Sequence, residues 1–273
     1  MCIIYLEINL FKDSSKKTFL IKIGGSILGS QDSTIEDIVT LQKQGHKPVV
    51  VHGGGQVISG WMEKQGLEPK FLNGLRVTDS ASLDIVTATL AGLVNKKLVF
   101  DIQNIGGKAI GISGVDGEIL QAEILDPDLG YVGRVTTVNP EPIEQIVRAG
   151  YIPVIAPIAV HKVESQDQNS VILNVNGDTA TGAIAKELAV DSVIFLTDVA
   201  GIMDSDSKII ESIESEKISG LIRSGTINGG MVPKVQACIT ALENVRSAQI
   251  LDGRKSRALL DFFAGANIGT RIL

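Results

Sequence analysis

An α/β fold, a mainly parallel sheet covered by helices on both faces, is what the sequence predicts, and three observations predict it. Short β-branched runs bounded by Gly, Pro or Asp alternate with helical patterns along the chain. The apolar fraction is 44% but the aromatic fraction only 4%, so the core must be aliphatic, as in sheets buried on both faces. Two strand-like runs, Phe19-Leu20-Ile21-Lys22-Ile23-Gly24-Gly25-Ser26 and Pro48-Val49-Val50-Val51-His52-Gly53-Gly54-Gly55, end in glycines. Such a turn at the carboxyl end of a parallel strand lets a phosphate reach backbone N–H groups, and a following helix N-terminus adds partial positive charge.

The elements follow in order. Phe19–Ile23 predicts a strand, Thr34–Gln44 a helix, Pro48–Val51 a second strand and Gln56–Gln65 the helix after its glycines. Ser80–Asn104 reads as one long helix that Thr78 or Asp79 can cap. Lys108–Ile112 and Tyr151–Ala156 are strands on either side of a helix at Pro142–Arg148. Val171–Val175 is a strand leading to a helix at Thr179–Leu188, and Ser192–Thr197 a further strand. Helices at Ser215–Ser224 and Val232–Asn244, a strand at Ala248–Leu251 and a helix at Ser256–Ala264 complete the pattern. Asp116–Thr137 and Val160–Val175 break it and read as hairpins or meanders. No repeat or low-complexity segment interrupts the chain.

At 273 residues the chain fits one large domain or two closely packed lobes, with a change of role expected near residue 189, where a fresh strand–loop unit begins. The net charge of -6 leaves no basic footprint for nucleic acid, so positive charge must be gathered locally to bind an anion. The two cysteines, Cys2 and Cys238, form no CxxC pair and fit a reducing compartment. Met1–Phe11 lacks a basic leader and a small-residue cleavage site, and the apolar stretch Tyr151–Val160 is far below spanning length. A soluble cytoplasmic protein is expected.

The chain has no P-loop, no dinucleotide fingerprint and no nucleophile elbow, and His46, His52 and His161 lack metal-ligand spacing. Lys22, inside an apolar strand, either snorkels from a sheet edge or meets an anion. The bare Gly53-Gly54-Gly55 turn suits an oxyanion, with His52 in a structural hydrogen-bonding role rather than as a base. Arg76, in Asn73-Gly74-Leu75-Arg76-Val77-Thr78-Asp79, is either a surface ion pair or a carboxylate clamp. Asp178, in Asn174-Val175-Asn176-Gly177-Asp178-Thr179, is a helix cap, an orienter of lysines, or both. Lys234 falls in the first turn of a helix, where a cation opposes the dipole and needs a compensating anion, or is held off the axis.

Taken together, these segments resemble the amino acid kinase family from about Lys22 to Thr270. Val94-Asn95-Lys96, Gly111-Ile112-Ser113-Gly114, Val138-Asn139-Pro140, Leu196-Thr197-Asp198-Val199 and Gly229-Gly230-Met231-Val232-Pro233-Lys234 extend the match. The Asn-Gly-Leu-Arg-Val-Thr-Asp segment is similar to that of members acting on N-acetyl-L-glutamate. The resemblance implies an open three-layer αβα sandwich and MgATP-dependent phosphorylation of the substrate's side-chain carboxylate, in arginine biosynthesis. It implies an amino-acid-binding lobe over residues 1–189 and a nucleotide-binding lobe over 190–273. Lys22 and Lys234 would stabilise the transferring phosphoryl group and Asp178 would orient them. Gly24 and Gly25 would bind phosphate, Gly54 and Gly55 would face the phosphate and the attacking carboxylate, and Arg76 and Asn174 would hold the substrate. Thr197, Asp198, Gly201, Met203, Gly230 and Lys234 would bind ATP, with Mg²⁺ held mainly by its phosphates and no protein metal ligands.

Gly177 stands where the family usually has Ala, and Lys255–Leu260 lacks the histidine often found before Ala-Leu-Leu. Asp261–Ala264 also departs from the usual pattern, and no amphipathic helix is read at Met1–Leu10. The resemblance then implies a homodimer without arginine feedback. Leu83, Ile85, Val86, Leu90, Leu93 and Val94 of the long helix exceed one stripe and are either a candidate dimer surface or core. A relative acting on carrier-bound aminoadipate or glutamate, and a non-catalytic amino-acid sensor, are the rival expectations.

Overall fold

The computed structural model describes residues 16–25, 33–162, 171–204 and 206–273. The expectations for Met1–Phe11, Cys2, Ser26 and part of the Val160–Val175 segment fall outside them. In chain order the strands are β1 (Thr18–Ile23), β2 (Lys47–His52), β3 (Phe71–Leu72), β4 (Leu75–Arg76), β5 (Ala109–Ser113), β6 (Leu120–Ile124) and β7 (Val132–Val138). They continue as β8 (Ile152–Ala156), β9 (Ile158–His161), β10 (Val171–Val175), β11 (Ser192–Thr197), β12 (Ser212–Ile213), β13 (Ala248–Asp252) and β14 (Thr270–Ile272). The helices are α1 (Thr34–Lys43), α2 (Gly55–Lys64), α3 (Ser80–Thr87), α4 (Asn95–Asn104), α5 (Glu141–Arg148), α6 (Gly177–Leu188), α7 (Ser215–Arg223), α8 (Met231–Leu242) and α9 (Ala258–Phe263).

β1 lies inside an eight-stranded sheet of order β12-β14-β13-β11-β1-β2-β8-β5. It pairs in parallel with both β2 and β11. From β1 the chain builds outward on both sides, so the strand order reverses here, the position at which open α/β sheets hold ligands beyond their carboxyl ends. Alternation divides the side chains of β1 between two cores. Phe19, Ile21 and Ile23 pack on one face with α1 and α9, and Leu20 packs on the other with α6 and α8. Lys22 shares the Leu20 face, which aims it toward the start of α6.

Two expectations gain detail. The Ser80–Asn104 helix is present, but its middle, Ala88–Val94, runs in wide π-helical turns between α3 and α4. Hydrogen bonding at i→i+5 alters which side chains face inward, and Ile85, Val86, Leu90 and Val94 are all buried, so for these four the core reading holds. Of the six residues only Leu93 is exposed. The two segments read as hairpins do supply antiparallel pairs, β6 with β7 and β9 with β10, and these close further into a four-stranded barrel. β12 and β14, with two and three residues, are too short to show periodicity in sequence, and β14 runs antiparallel to β13.

α6 and α8 pack with their backbones in contact. A Cβ at Gly182 would lie 2.6 Å from Ala237 O and 2.9 Å from Ala237 Cα. This approach brings Asp178 on α6 to Lys234 on α8. Gly182→Ala is expected to wedge the helices apart and lower stability by about 1–3 kcal/mol, the usual range for overpacking. A thermal melt would show a lower Tm, and an unchanged Tm would contradict the tight contact.

Candidate active site

Two glycine turns stand side by side at the carboxyl ends of β1 and β2. Gly53 N donates to Ile23 O at 2.9 Å. A Cβ at Gly25 would sit 3.1 Å from Gly55 N and 3.3 Å from Gly54 N, and one at Gly53 would sit 3.2 Å from Gly25 N. Side chains here would cover the amides, so glycine keeps the N–H groups bare. Gly54 is also the N-cap of α2, whose first amides lack intrahelical partners. Gly24 differs from Gly25: it is buried, with its N–H donated to Leu196 O at 3.3 Å, whereas Gly25 lines the cleft.

Asp178 joins two lysines from distant parts of the chain. Lys22 Nζ lies 2.7 Å from Oδ1, and Lys234 Nζ lies 3.0 Å from Oδ2. Lys22 and Asp178 are buried, which decides between the readings of Lys22: it does not snorkel to water. The Lys22 contact is a close ion pair but not an aligned hydrogen bond, and Oδ1 has no hydrogen-bond partner. Burial pushes the Asp178 carboxyl up, but the two ammonium groups outweigh it and hold it below the ordinary carboxylate range. Burial, aided by Lys234, brings Lys22 below its ordinary value despite Asp178.

Asp178 is free for this task because it is not the helix cap. Asn176, with extended backbone, caps α6 by accepting from Asp178 N at 2.9 Å and Thr179 N at 3.1 Å. Asp178 is the second residue of the helix, and its carboxylate projects from the first turn. In the same way Asp79, not Thr78, caps α3 by accepting from Ser82 N at 2.8 Å.

Arg76 faces the glycine turns across a cleft of about 200 Å³. It donates to Gly55 O and Ser59 Oγ, each at 2.8 Å, and stands 4.8 Å from the centre of the Phe71 ring. Arg76 is buried, and no ion pair among the described residues includes it, so the surface-pair reading fails. Burial alone lowers its affinity for a proton. A desolvated guanidinium of this kind calls for an anion in the cleft. Asn174, held by its register with Val132 in the barrel, donates to Thr78 Oγ1 at 3.1 Å, and Thr78 Oγ1 donates to Arg76 O at 3.0 Å. This relay leaves the Asn174 carbonyl oxygen and one N–H for a ligand.

A second cleft of about 450 Å³ adjoins Lys234, and all six residues expected to bind nucleotide line it. Asn228, Gly229 and Met231, from the segment that leads to Lys234, line it too, as does Thr226, which sequence reasoning did not single out. Ser59 and Met62, which hold Arg76, were also missed, because contacts between separate elements leave no local signal. Among the described residues no group of three or more His, Cys, Asp or Glu side chains is placed to hold a metal ion. No helix there is long and apolar enough to cross a membrane.

An amide cradle, two lysines bridged by one carboxylate and a parallel sheet with a strand-order switch define a phosphoryl-transfer class. The amino acid kinase family model matches residues 17–252, and the chain belongs to that family. An acetylglutamate kinase of Dehalococcoides mccartyi is 41% identical over 259 residues, 95% of each chain. The acetylglutamate kinase of Caldanaerobacter subterraneus subsp. tengcongensis is 44% identical over 271 residues, covering 96% of this chain and 89% of the relative. The crystal structure of smu.665 from Streptococcus mutans UA159 superposes with a TM-score of 0.77 at 30% identity, over 93% of this chain and 98% of that one.

Asp178→Asn leaves two ammonium groups without their shared anion and is expected to cost about 3–5 kcal/mol at pH 7, as for breaking a buried pair. The folded carboxyl titrates below its unfolded value of about 3.9. Its stabilisation is therefore complete above that value and is lost as pH falls through the folded one. Melts of both proteins should show a Tm gap that narrows below about pH 4. A gap unchanged down to pH ~3 would contradict the ion-pair assignment.

Proposed function

We propose that this chain transfers the γ-phosphoryl group of ATP to the side-chain carboxylate of N-acetyl-L-glutamate, giving N-acetyl-L-glutamyl 5-phosphate, a step of arginine biosynthesis. The observation that carries the reading is Asp178 and its two lysines at the junction of two clefts, one of them holding a buried Arg76 that has no ion-pair partner among the described residues. The names of relatives more than 40% identical over nearly the whole chain point to the same substrate.

The chemistry needs no general base, because the attacking carboxylate is already ionised at neutral pH. His52, the histidine of the glycine turn, is suited to none: burial brings it down to about 4, and both ring nitrogens have partners. Arg76 would take the substrate's α-carboxylate, and the Asn174 carbonyl would accept from its acetamido N–H. The amides of Gly25, Gly54 and Gly55 would meet the γ-phosphate and the attacking carboxylate. Lys22 and Lys234 would neutralise charge on the phosphoryl oxygens from opposite sides, with Asp178 fixing both ammonium groups. When bound, Mg²⁺ would supply further charge neutralisation on the nucleotide phosphates, which would hold it.

The division of labour by lobe is part of this proposal. Every residue lining the Arg76 cleft lies between Lys22 and Asp178, and every residue lining the second cleft lies between Thr197 and Lys234. This supports amino-acid binding by residues 1–189 and nucleotide binding by residues 190–273. A cytoplasmic homodimer also belongs to the proposal, supported by the exposed Leu93 and Phe100 on the helix after Ser80.

A coupled assay of ADP release across carboxylate substrates tests the activity. N-acetyl-L-glutamate is expected to give the highest kcat/KM, and binding of amino acid without ADP release would favour a sensor instead. Lys22→Ala should lower kcat by on the order of a hundredfold or more, as for loss of an oxyanion donor; an unchanged kcat would remove Lys22 from the mechanism. Arg76→Ala should chiefly raise the KM for the amino acid. A selective rise in the KM for ATP would contradict the assignment.

A further inference from the structure

His52 ends β2 immediately before the Gly53–Gly55 turn, is fully buried, and does no proton transfer in the reaction above. Its ring sits in a defined chain of hydrogen bonds. Lys96 Nζ, which can only donate, lies 3.1 Å from Asn95 Oδ1. That contact turns the Asn95 amide nitrogen toward His52 Nε2, at 3.1 Å. Gly53 O lies 2.9 Å from Nδ1 and can only accept, so the proton belongs on Nδ1 and Nδ1–H donates to Gly53 O, which leaves Nε2 as an acceptor facing Asn95. Asn95 is also fully buried, and Ile112 O and Val154 O, in two other strands, lie 3.1 Å and 2.9 Å from its Nδ2 and share its two N–H groups with His52 Nε2.

Gly53 O and Gly54 N belong to one peptide group. In a planar trans peptide the C=O and N–H point in opposite directions. Drawing the Gly53 carbonyl toward the buried imidazole therefore turns the Gly54 N–H away from it, toward the side where Gly25 stands and the cleft opens. Glycine without a side chain could otherwise rotate this peptide freely. We propose that His52 is a positioning residue: its Nδ1–H locks the Gly53–Gly54 peptide so that the Gly54 amide is presented to the transferring phosphoryl group. The claim deepens the proposed kinase reaction and rests on it for its kinetic consequence.

Two substitutions separate this role from mere filling of the core. The amide nitrogen in His52→Asn falls near the place of Nδ1 and can still donate to Gly53 O. In His52→Gln it falls near Nε2 and reaches toward Asn95 instead. His52→Asn is expected to keep kcat within a few-fold of wild type. His52→Gln should lose on the order of tenfold to a hundredfold in kcat, less than loss of a whole oxyanion donor, with both KM values little changed. Equal kcat for the two variants, or losses that simply follow Tm, would overturn the proposal. Nitrogen NMR of histidine-labelled wild-type protein reads the tautomer without any substitution, and a proton on Nε2 rather than Nδ1 would also overturn it. Amide exchange at Gly54, with and without the non-hydrolysable analogue AMP-PNP and Mg²⁺, needs no turnover. Protection by the analogue should be retained in His52→Asn and reduced in His52→Gln, and equal protection in both would count against the proposal. Should wild-type protein release no ADP with N-acetyl-L-glutamate, the substrate assignment fails while the tautomer and exchange results still decide the role of His52.

Discussion

Asp178 holds one ammonium group at each of its carboxylate oxygens, and the rest of the site is arranged around that contact. Lys22 comes from the innermost part of the sheet and Lys234 from α8. Two cations this close repel each other, and burial raises the cost of the charge on Lys22. One carboxylate between them offsets much of that cost but not all, since the cluster keeps a net positive charge. A buried net cation is poorly suited to a resting protein and well suited to meeting a highly charged phosphate.

The contact depends on close backbone approach. Gly182 lets α6 and α8 touch, which sets the reach from Asp178 to Lys234. Gly25 and Gly53–Gly55 let the two strand-end turns touch, which gathers amides beside Lys22. A P-loop gathers such amides in one continuous segment. Here they come from the ends of adjacent parallel strands, so the sheet itself sets their spacing. The phosphate cradle is thus split between strands, and its geometry is as rigid as the β1–β2 pairing.

Much of this was legible in the sequence, for physical reasons that differ from place to place. The β-branched runs of β1, β2 and β11 and the glycines after the first two announce buried parallel strands with phosphate turns, and Ser192–Thr197 matches residue for residue. The motif residues Arg76, Asn174, Asp178 and Lys234 were readable as polar groups in costly places. What sequence could not show was pairing. Nothing local says that Asn176 takes the cap and frees Asp178, or that Arg76 is buried against Ser59 and Met62. The barrel of β6, β7, β9 and β10 depends on closure between distant segments. The apolar positions of the helix after Ser80 overfill one stripe, and the π-helical turns bury Leu90 and Val94 of that surplus while leaving Leu93 exposed.

If Asp178 and the lysines act as one unit, removing one member should already forfeit most of what the unit supplies. A double-mutant cycle on kcat/KM with Lys22→Met and Asp178→Asn reads this directly. The account predicts strong non-additivity: the double variant should exceed the product of the single losses by more than about tenfold in activity, a coupling of ~1.4 kcal/mol. Losses that simply multiply would show that Lys22 and Asp178 act independently and would contradict it.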